Sequence, residues 1–286
     1  MTDKVTVPAV RARKGGDKIT MVTAYDHPTA RLASEAGIDV ILVGDSVGNV
    51  VHGFEDTLSV DVDLMAIHAA AVRRARPHSL VVVDMPWMSY HVSPEETVGN
   101  AARLVRAGGE AVKLEGGRKR VAAIRHIVDA EIPVMGHLGL TPQSVHAMGG
   151  YKVQGRGLDA AREIMEDARL LVEAGVFAIV LEGVPDLLAE VITREVPVPT
   201  IGIGAGSGTD GQVLVIHDLL GLGFGTYPKF VRRYDDLRSR AVDALRRYAD
   251  DVRTGAFPGE DESYHLRDEV AESLLGTFPS DALVSS

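Results

Sequence analysis

Leu104-Val105-Arg106-Ala107-Gly108-Gly109-Glu110-Ala111-Val112-Lys113-Leu114-Glu115 holds one helix-to-strand unit in twelve residues. The amphipathic pattern Ser93–Ala107 stops at a Gly placed where a helix C-cap wants one. A short apolar run, Ala111–Glu115, follows and ends on a carboxylate. The unit recurs: Ala36-Gly37 and Ala174-Gly175 also close helix patterns and lead into apolar runs. Seven residues beyond the three glycines stand Gly44, Glu115 and Glu182.

Working outward gives eight such runs: Ile19–Ala24, Asp39–Gly44, Leu80–Asp84, Ala111–Glu115, Pro133–His137, Phe177–Glu182, Thr200–Gly204 and Val213–Asp218. They are near-continuously apolar, which marks strands of a parallel sheet covered on both faces. Helix patterns such as Ser93–Ala107 and Leu158–Ala174 lie between them. Ser93-Pro94-Glu95-Glu96 reads as a helix start, with a capping Ser, Pro at the first position and Glu at the third. Eight strands, each followed by a helix, predict a closed (β/α)8 TIM barrel, with an open doubly wound sheet as the alternative. The expected organisation is a single domain: an N-terminal segment 1–18, a barrel 19–228 and a C-terminal helical extension and tail 229–286. Lys229 to Thr254 reads as a final charged helix, and the rest as a short helical pattern with a polar, mobile end that covers another surface or a neighbouring subunit.

Composition narrows the function. A net charge of -10 argues against nucleic acid, which needs clustered Lys and Arg. Arg outnumbers Lys, through either genome composition or salt adaptation. The absence of cysteine removes disulfides, thiolate catalysis and Cys-ligated zinc. No run approaches the roughly 20 apolar residues of a membrane span, and Met1–Lys18 lacks a signal-peptide pattern. A cytoplasmic location is expected.

In a barrel the chemistry lies at the carboxyl ends of the strands. Those ends carry Asp45-Ser46, Asp84, Glu115, His137 and Glu182. One Asp there is as well explained by helix capping; five polar endings together are not. Lys113 and Glu115 are two apart on one strand and so share a face, either as a structural ion pair or as site residues. Asp45, Asp84 and Glu115 offer hard oxygens to magnesium, on which a 2-oxo acid could chelate. Metal and Lys113 would stabilise the enolate left by α-proton removal. Glu182, ending an apolar strand, is the candidate base, its carboxyl raised by desolvation; the alternative is a barrel-mouth Glu paired with a cation. His137 either hydrogen-bonds substrate or orders the mouth. The glycine-rich run Gly202–Gly208 suits backbone phosphate binding or tight loop packing. Gly44, Gly48 and Gly53 flank Asp45 and suggest close backbone approach or a lid.

Several segments resemble ketopantoate hydroxymethyltransferase: Thr23-Ala24-Tyr25-Asp26, Val43-Gly44-Asp45-Ser46, Val83-Asp84-Met85-Pro86, Val112-Lys113-Leu114-Glu115-Gly116-Gly117, Met135-Gly136-His137-Leu138-Gly139-Leu140-Thr141-Pro142-Gln143, Gly202-Ile203-Gly204-Ala205-Gly206 and Asp210-Gly211-Gln212-Val213-Leu214-Val215. They stand in the family's order over roughly Ile19 to Tyr234. The resemblance implies transfer of a hydroxymethyl group from 5,10-methylenetetrahydrofolate to 3-methyl-2-oxobutanoate, giving 2-dehydropantoate for pantothenate and coenzyme A synthesis. It further implies a barrel of the phosphoenolpyruvate/pyruvate type and a ring-like homo-oligomer, often a decamer. Carried over, Asp45, Asp84 and Glu115 form the magnesium set. Ser46, Lys113, Asp45 and Asp84 contact the 2-oxo acid, His137 lies near the new hydroxymethyl group, and Glu182 accepts the proton. Departures are His52 and Phe54, where the family has an aliphatic residue and Tyr, Ser59 in place of Pro, and Thr209 in place of Cys. Rival readings are a magnesium-dependent C–C lyase or mutase of the isocitrate lyase and phosphoenolpyruvate mutase group, whose usual catalytic Cys is missing here, and a non-catalytic barrel that binds 2-oxo acids.

Overall fold

Strands β1 (Ile19–Thr23), β2 (Val40–Val43), β3 (Leu80–Asp84), β4 (Ala111–Glu115), β5 (Val134–Gly139), β6 (Ala178–Glu182), β7 (Thr200–Ile203) and β8 (Gly211–Leu214) close in sequence order into an all-parallel barrel, β8 pairing with β1. The computed structural model describes residues 3–277; the polar end, 278–286, lies outside the described residues. Two compact units divide the chain, Met1–Asp235 and Asp236–Ser286.

Inside the first unit, side-chain alternation sorts each strand into two apolar sets. Ile19, Met21, Val40, Leu42, Leu80, Val82, Ala111, Met135, Ala178, Val180, Ile201 and Val213 fill the barrel interior. Val22, Ile41, Val43, Val81, Val83, Val112, Leu114, Ile179 and Leu181 face the surrounding helices. Burial on both faces is why the strands read as unbroken apolar runs. The N-terminal segment is more than a leader: helix Val7–Arg11, capped by Thr6, packs Val10 at 1% exposure into the interior set.

Helix boundaries follow local chemistry. Helix Pro94–Ala107 starts where Ser93 Oγ accepts the Glu96 N–H at 3.1 Å and stops at Gly108, with φ +130°. The same left-handed turn recurs at Gly37 (+77°) and Gly175 (+100°), so the helix-end repeat is real. Three expectations need correction. The last strand is Gly211–Leu214, not Val213–Asp218: Thr23 Oγ1 accepts the Ile216 N–H at 3.0 Å and turns the chain into helix Ile216–Leu219. No helix separates β7 from β8; the loop is held by Gln212 Nε2 donating to Gly206 O at 2.8 Å. The final charged helix begins at Leu237, because Asp236 caps it through the Ser239 N–H, not at Lys229.

The second unit contains helix Leu237–Thr254, a 3-10 turn Glu260–Glu262 and helix Asp268–Leu275. The long helix buries nothing and leaves Val242, Leu245, Tyr248 and Val252 exposed at helical spacing. Among the described residues no helix is long and apolar enough to cross a membrane.

Candidate active site

Strand register places the polar endings beside one another. Asp84 stands opposite Lys113, Glu115 opposite His137, and Gly139 opposite Glu182. Asp45 and Ser46 follow β2 in the loop that starts helix Val47–Val50. All seven residues named from sequence, Asp45, Ser46, Asp84, Lys113, Glu115, His137 and Glu182, line one cavity of about 980 Å³. Leu42, Val180, Ile203 and Val213 of the interior set line it too and give it an apolar floor.

Charge in this cavity is dense and buried. Lys113 Nζ lies 2.9 Å from Asp84 Oδ1 and 3.3 Å from His137 Nδ1. His137 bridges two carboxylates, with Nδ1 3.4 Å from Glu115 Oε1 and Nε2 3.2 Å from Glu182 Oε2. These are ion-pair contacts, since Asp84 Oδ1 and His137 Nε2 make no well-directed hydrogen bond. Burial and the Lys113 charge oppose a proton on His137, but the Glu115 and Glu182 carboxylates outweigh them and raise it to about 9. Burial likewise opposes the Lys113 charge, and Asp84, Glu115 and Asp45 more than offset it. Asp45 is the opposite case: burial, then repulsion from Asp84 and Glu115, push its carboxyl well above the usual carboxylate range. Glu182 is the least enclosed of these ion-paired acids, with 16% of its side chain exposed against 4% for Asp84 and for Glu115, and it opens to the cavity.

Four carboxyl groups (Asp45, Asp84, Glu115, Glu182) line the cavity with Lys113 and His137. The raised carboxyl of Asp45 marks a local shortage of positive charge, which a dication would relieve. Among the described residues, however, no three His, Cys, Asp or Glu side chains stand where they would hold a metal ion. Glu115 Oε2 is taken by the Gln143 N–H at 3.0 Å, whereas Asp45 and Asp84 adjoin directly, the Asp45 N–H donating to Asp84 Oδ2 at 3.1 Å. Two adjoining carboxylates match magnesium, which accepts one or two from the protein and fills its shell with water and substrate oxygens.

Sequence reasoning missed Gln143 and Tyr90. Gln143 Nε2 donates to Asp45 Oδ2 at 2.8 Å and to Met85 O at 3.0 Å, while its Oε1 accepts the Tyr90 hydroxyl at 2.5 Å. Both amide hydrogens and the carbonyl oxygen of that side chain have partners, so its orientation is determined. The Gln143 side chain and backbone thereby brace Asp45 and Glu115 together. Nothing local marks it; its partner Asp45 is 98 residues away.

The model of the ketopantoate hydroxymethyltransferase family matches residues 4–260. The chain belongs to that family. The 3-methyl-2-oxobutanoate hydroxymethyltransferase 2 of Bradyrhizobium diazoefficiens is 52% identical over 98% of this chain and 96% of the relative. The 3-methyl-2-oxobutanoate hydroxymethyltransferase of Moorella thermoacetica is 55% identical over 91% and 98%. Among solved structures, 2,3-dimethylmalate lyase superposes with a TM-score of 0.58 at 17% identity, covering 99% of this chain and 98% of the lyase. Phosphoenolpyruvate phosphomutase from Streptomyces platensis subsp. rosaceus gives 0.59 at 15% identity, covering 95% and 96%. These two share the barrel of the phosphoenolpyruvate mutase and isocitrate lyase superfamily.

Within this ketopantoate hydroxymethyltransferase framework the departures have visible partners. His52 stacks on Phe54 with ring centres 5.5 Å apart, and its Nε2 lies 3.0 Å from His68 Nε2. His68 Nδ1 donates to Tyr25 O at 2.6 Å, and the Tyr25 hydroxyl meets Ser46 Oγ at 2.8 Å. Thr209 Oγ1 donates to Gly211 O at 2.8 Å. The glycine-rich run is a packing device: a Cβ on Gly206 would strike Asp186, and one on Gly208 would strike Glu190. Gly48 is a close approach of the same kind, against Val60 and Phe54, whereas Gly53 has open space around it.

Proposed function

We propose that this chain transfers a hydroxymethyl group from 5,10-methylenetetrahydrofolate to 3-methyl-2-oxobutanoate, forming 2-dehydropantoate on the route to pantothenate and coenzyme A. The observation that carries the reading is the buried Asp84–Lys113 pair beside Glu115–His137–Glu182, set over an apolar floor. The floor suits the isopropyl end of the substrate, and Lys113 with Ser46 suits its keto-acid end. Magnesium on Asp45 and Asp84, with Glu115 acting through water, would polarise the keto oxygen.

Glu182 takes the proton from C3, and His137, 3.2 Å away, orients it. Negative charge then moves onto the keto oxygen, where the charged, buried Lys113 favours it. Water releases the one-carbon unit from the two folate nitrogens as formaldehyde, leaving tetrahydrofolate; C3 then bonds to the formaldehyde carbon, its oxygen becomes an alkoxide, and that oxygen takes the proton back from Glu182. The cytoplasm and a homo-oligomer, a decamer by resemblance, complete the reading. The exposed stripe Val242, Leu245, Tyr248 and Val252 supports a subunit contact.

The test is product analysis after incubation with 3-methyl-2-oxobutanoate, magnesium and formaldehyde-loaded tetrahydrofolate, alongside C3 proton exchange in deuterated water. Both 2-dehydropantoate and exchange are expected. Exchange without product would unseat the folate donor; neither would unseat the enolising site.

A further inference from the structure

The opposite, amino end of the barrel unit carries a second cavity, of about 960 Å³, walled by Lys4, Arg31, Arg73, Arg74, Arg76 and His78 with Glu35 as the acid. Two of these cations are matched: Arg31 to Glu35 at 2.8 Å and Lys4 to Glu110 at 2.5 Å. Among the described residues Arg73, Arg74 and Arg76 have no carboxylate partner. Ser34 Oγ accepts the His78 backbone N–H at 3.1 Å and lies 2.8 Å from His78 Nδ1. The cleft is therefore rich in donors and poor in acceptors.

A second observation concerns how those guanidiniums are placed. Five helix-to-strand turns at this end take a left-handed residue: Gly37, Arg76, Gly108, Glu131 and Gly175. Three use glycine, which adopts that conformation freely; Arg76 adopts it at φ +49° against its own preference. Glu131 shows that strain alone decides nothing, but Arg76 stands in the cation cluster and Glu131 does not. Gly108 adds to the arrangement, because a Cβ there would collide with the stem of Arg73, which lies down across that turn. Helix Val62–Arg74 ends here, and its negative pole accounts for about half a charge, far less than three guanidiniums.

We propose that this cleft binds a small oligophosphate anion with three or more negative charges. Guanidinium forks pair with phosphate oxygens two at a time. Arg73, Arg74 and Arg76 are exposed around an open cleft that a small anion can enter, and the net charge of -10 repels a long nucleic acid.

The experiment is calorimetric titration of the full chain with tripolyphosphate at about 150 mM salt, without substrate, so the outcome is independent of the catalytic reading. One ion per chain is expected, weakened about tenfold or more in Arg73→Ala and in Arg76→Gly. Arg76→Gly relieves the positive φ and should melt at a higher temperature, so its lost affinity would not be misfolding. Citrate, a trianion without phosphate, serves as the charge control and should bind more weakly. No saturable binding, affinity within about twofold of the parent in both variants, or citrate binding as tightly as tripolyphosphate would each overturn the assignment.

Discussion

Asp210 and Asp45 are aspartates of nearly equal burial, 5% and 6% exposed, at opposite ends of one barrel. Asp210, just before β8, accepts the Thr200 N–H at 2.8 Å, the Gly15 N–H at 3.0 Å and Lys14 Nζ at 2.9 Å. Burial opposes its charge, but those donors win and hold it below the usual range. Asp45, just after β2, has Gln143 and the more distant Lys113 against burial, Asp84 and Glu115, and is pushed up. The same residue type is made a staple at one end and held uncompensated at the other. The difference separates stability from chemistry: uncompensated charge at the carboxyl end is held in place by a scaffold satisfied elsewhere.

Three measurements would break or sharpen that contrast. The largest effect is expected for Glu182→Gln at the carboxyl end: C3 proton exchange should fall about 10²–10⁴-fold while the melting temperature stays put. Exchange at the parental rate would remove Glu182 from the base role. Next, Asp210→Asn should cost about 2–3 kcal/mol in urea unfolding, as a charged acceptor with several donors is lost. The sign with pH follows from its depressed carboxyl. Its stabilisation is present above the ordinary value of 3.8 and is lost as pH falls through the lower folded value. The variant should therefore lose less stability in acid than the parent, and parallel acid curves would contradict the staple. The smallest effect has the opposite sign: Asp45→Asn, in buffer stripped of divalent ions, should gain on the order of 1 kcal/mol, and with magnesium restored it should be less active than the parent. If it destabilises as Asp210→Asn does, the two ends are alike and the comparison fails.

Most of the barrel was legible because the strands carry two apolar faces and five of the eight runs stop on or beside a polar residue. Lys113 and Glu115 could be assigned to one face from spacing two alone, and the structure puts both in the cavity. What escaped depends on contacts distant in the chain. Gln143 follows β5 in a loop whose residues look ordinary until Asp45, Met85 and Tyr90 arrive around it. The eighth strand was misplaced because Val213–Asp218 is apolar enough for a strand. Only pairing with Ile19 to Val22 shows that the ladder runs from Gly211 to Leu214. Nothing in the sequence singles out Arg73, Arg74 and Arg76, and only the fold gathers Lys4, Arg31 and His78 about them.

The seam where β8 meets β1 sets a timetable for synthesis. Ile216 reaches back 193 residues to Thr23, and Gly211 is packed so tightly against Ile19 that no side chain would fit. Until the ribosome has delivered that final ladder partner, the first strand has a bare edge and the nascent sheet stays open. Closure between such remote partners is slow, and bare edges invite pairing with other chains. Chaperone dependence should therefore concentrate in the interval before Leu214 emerges.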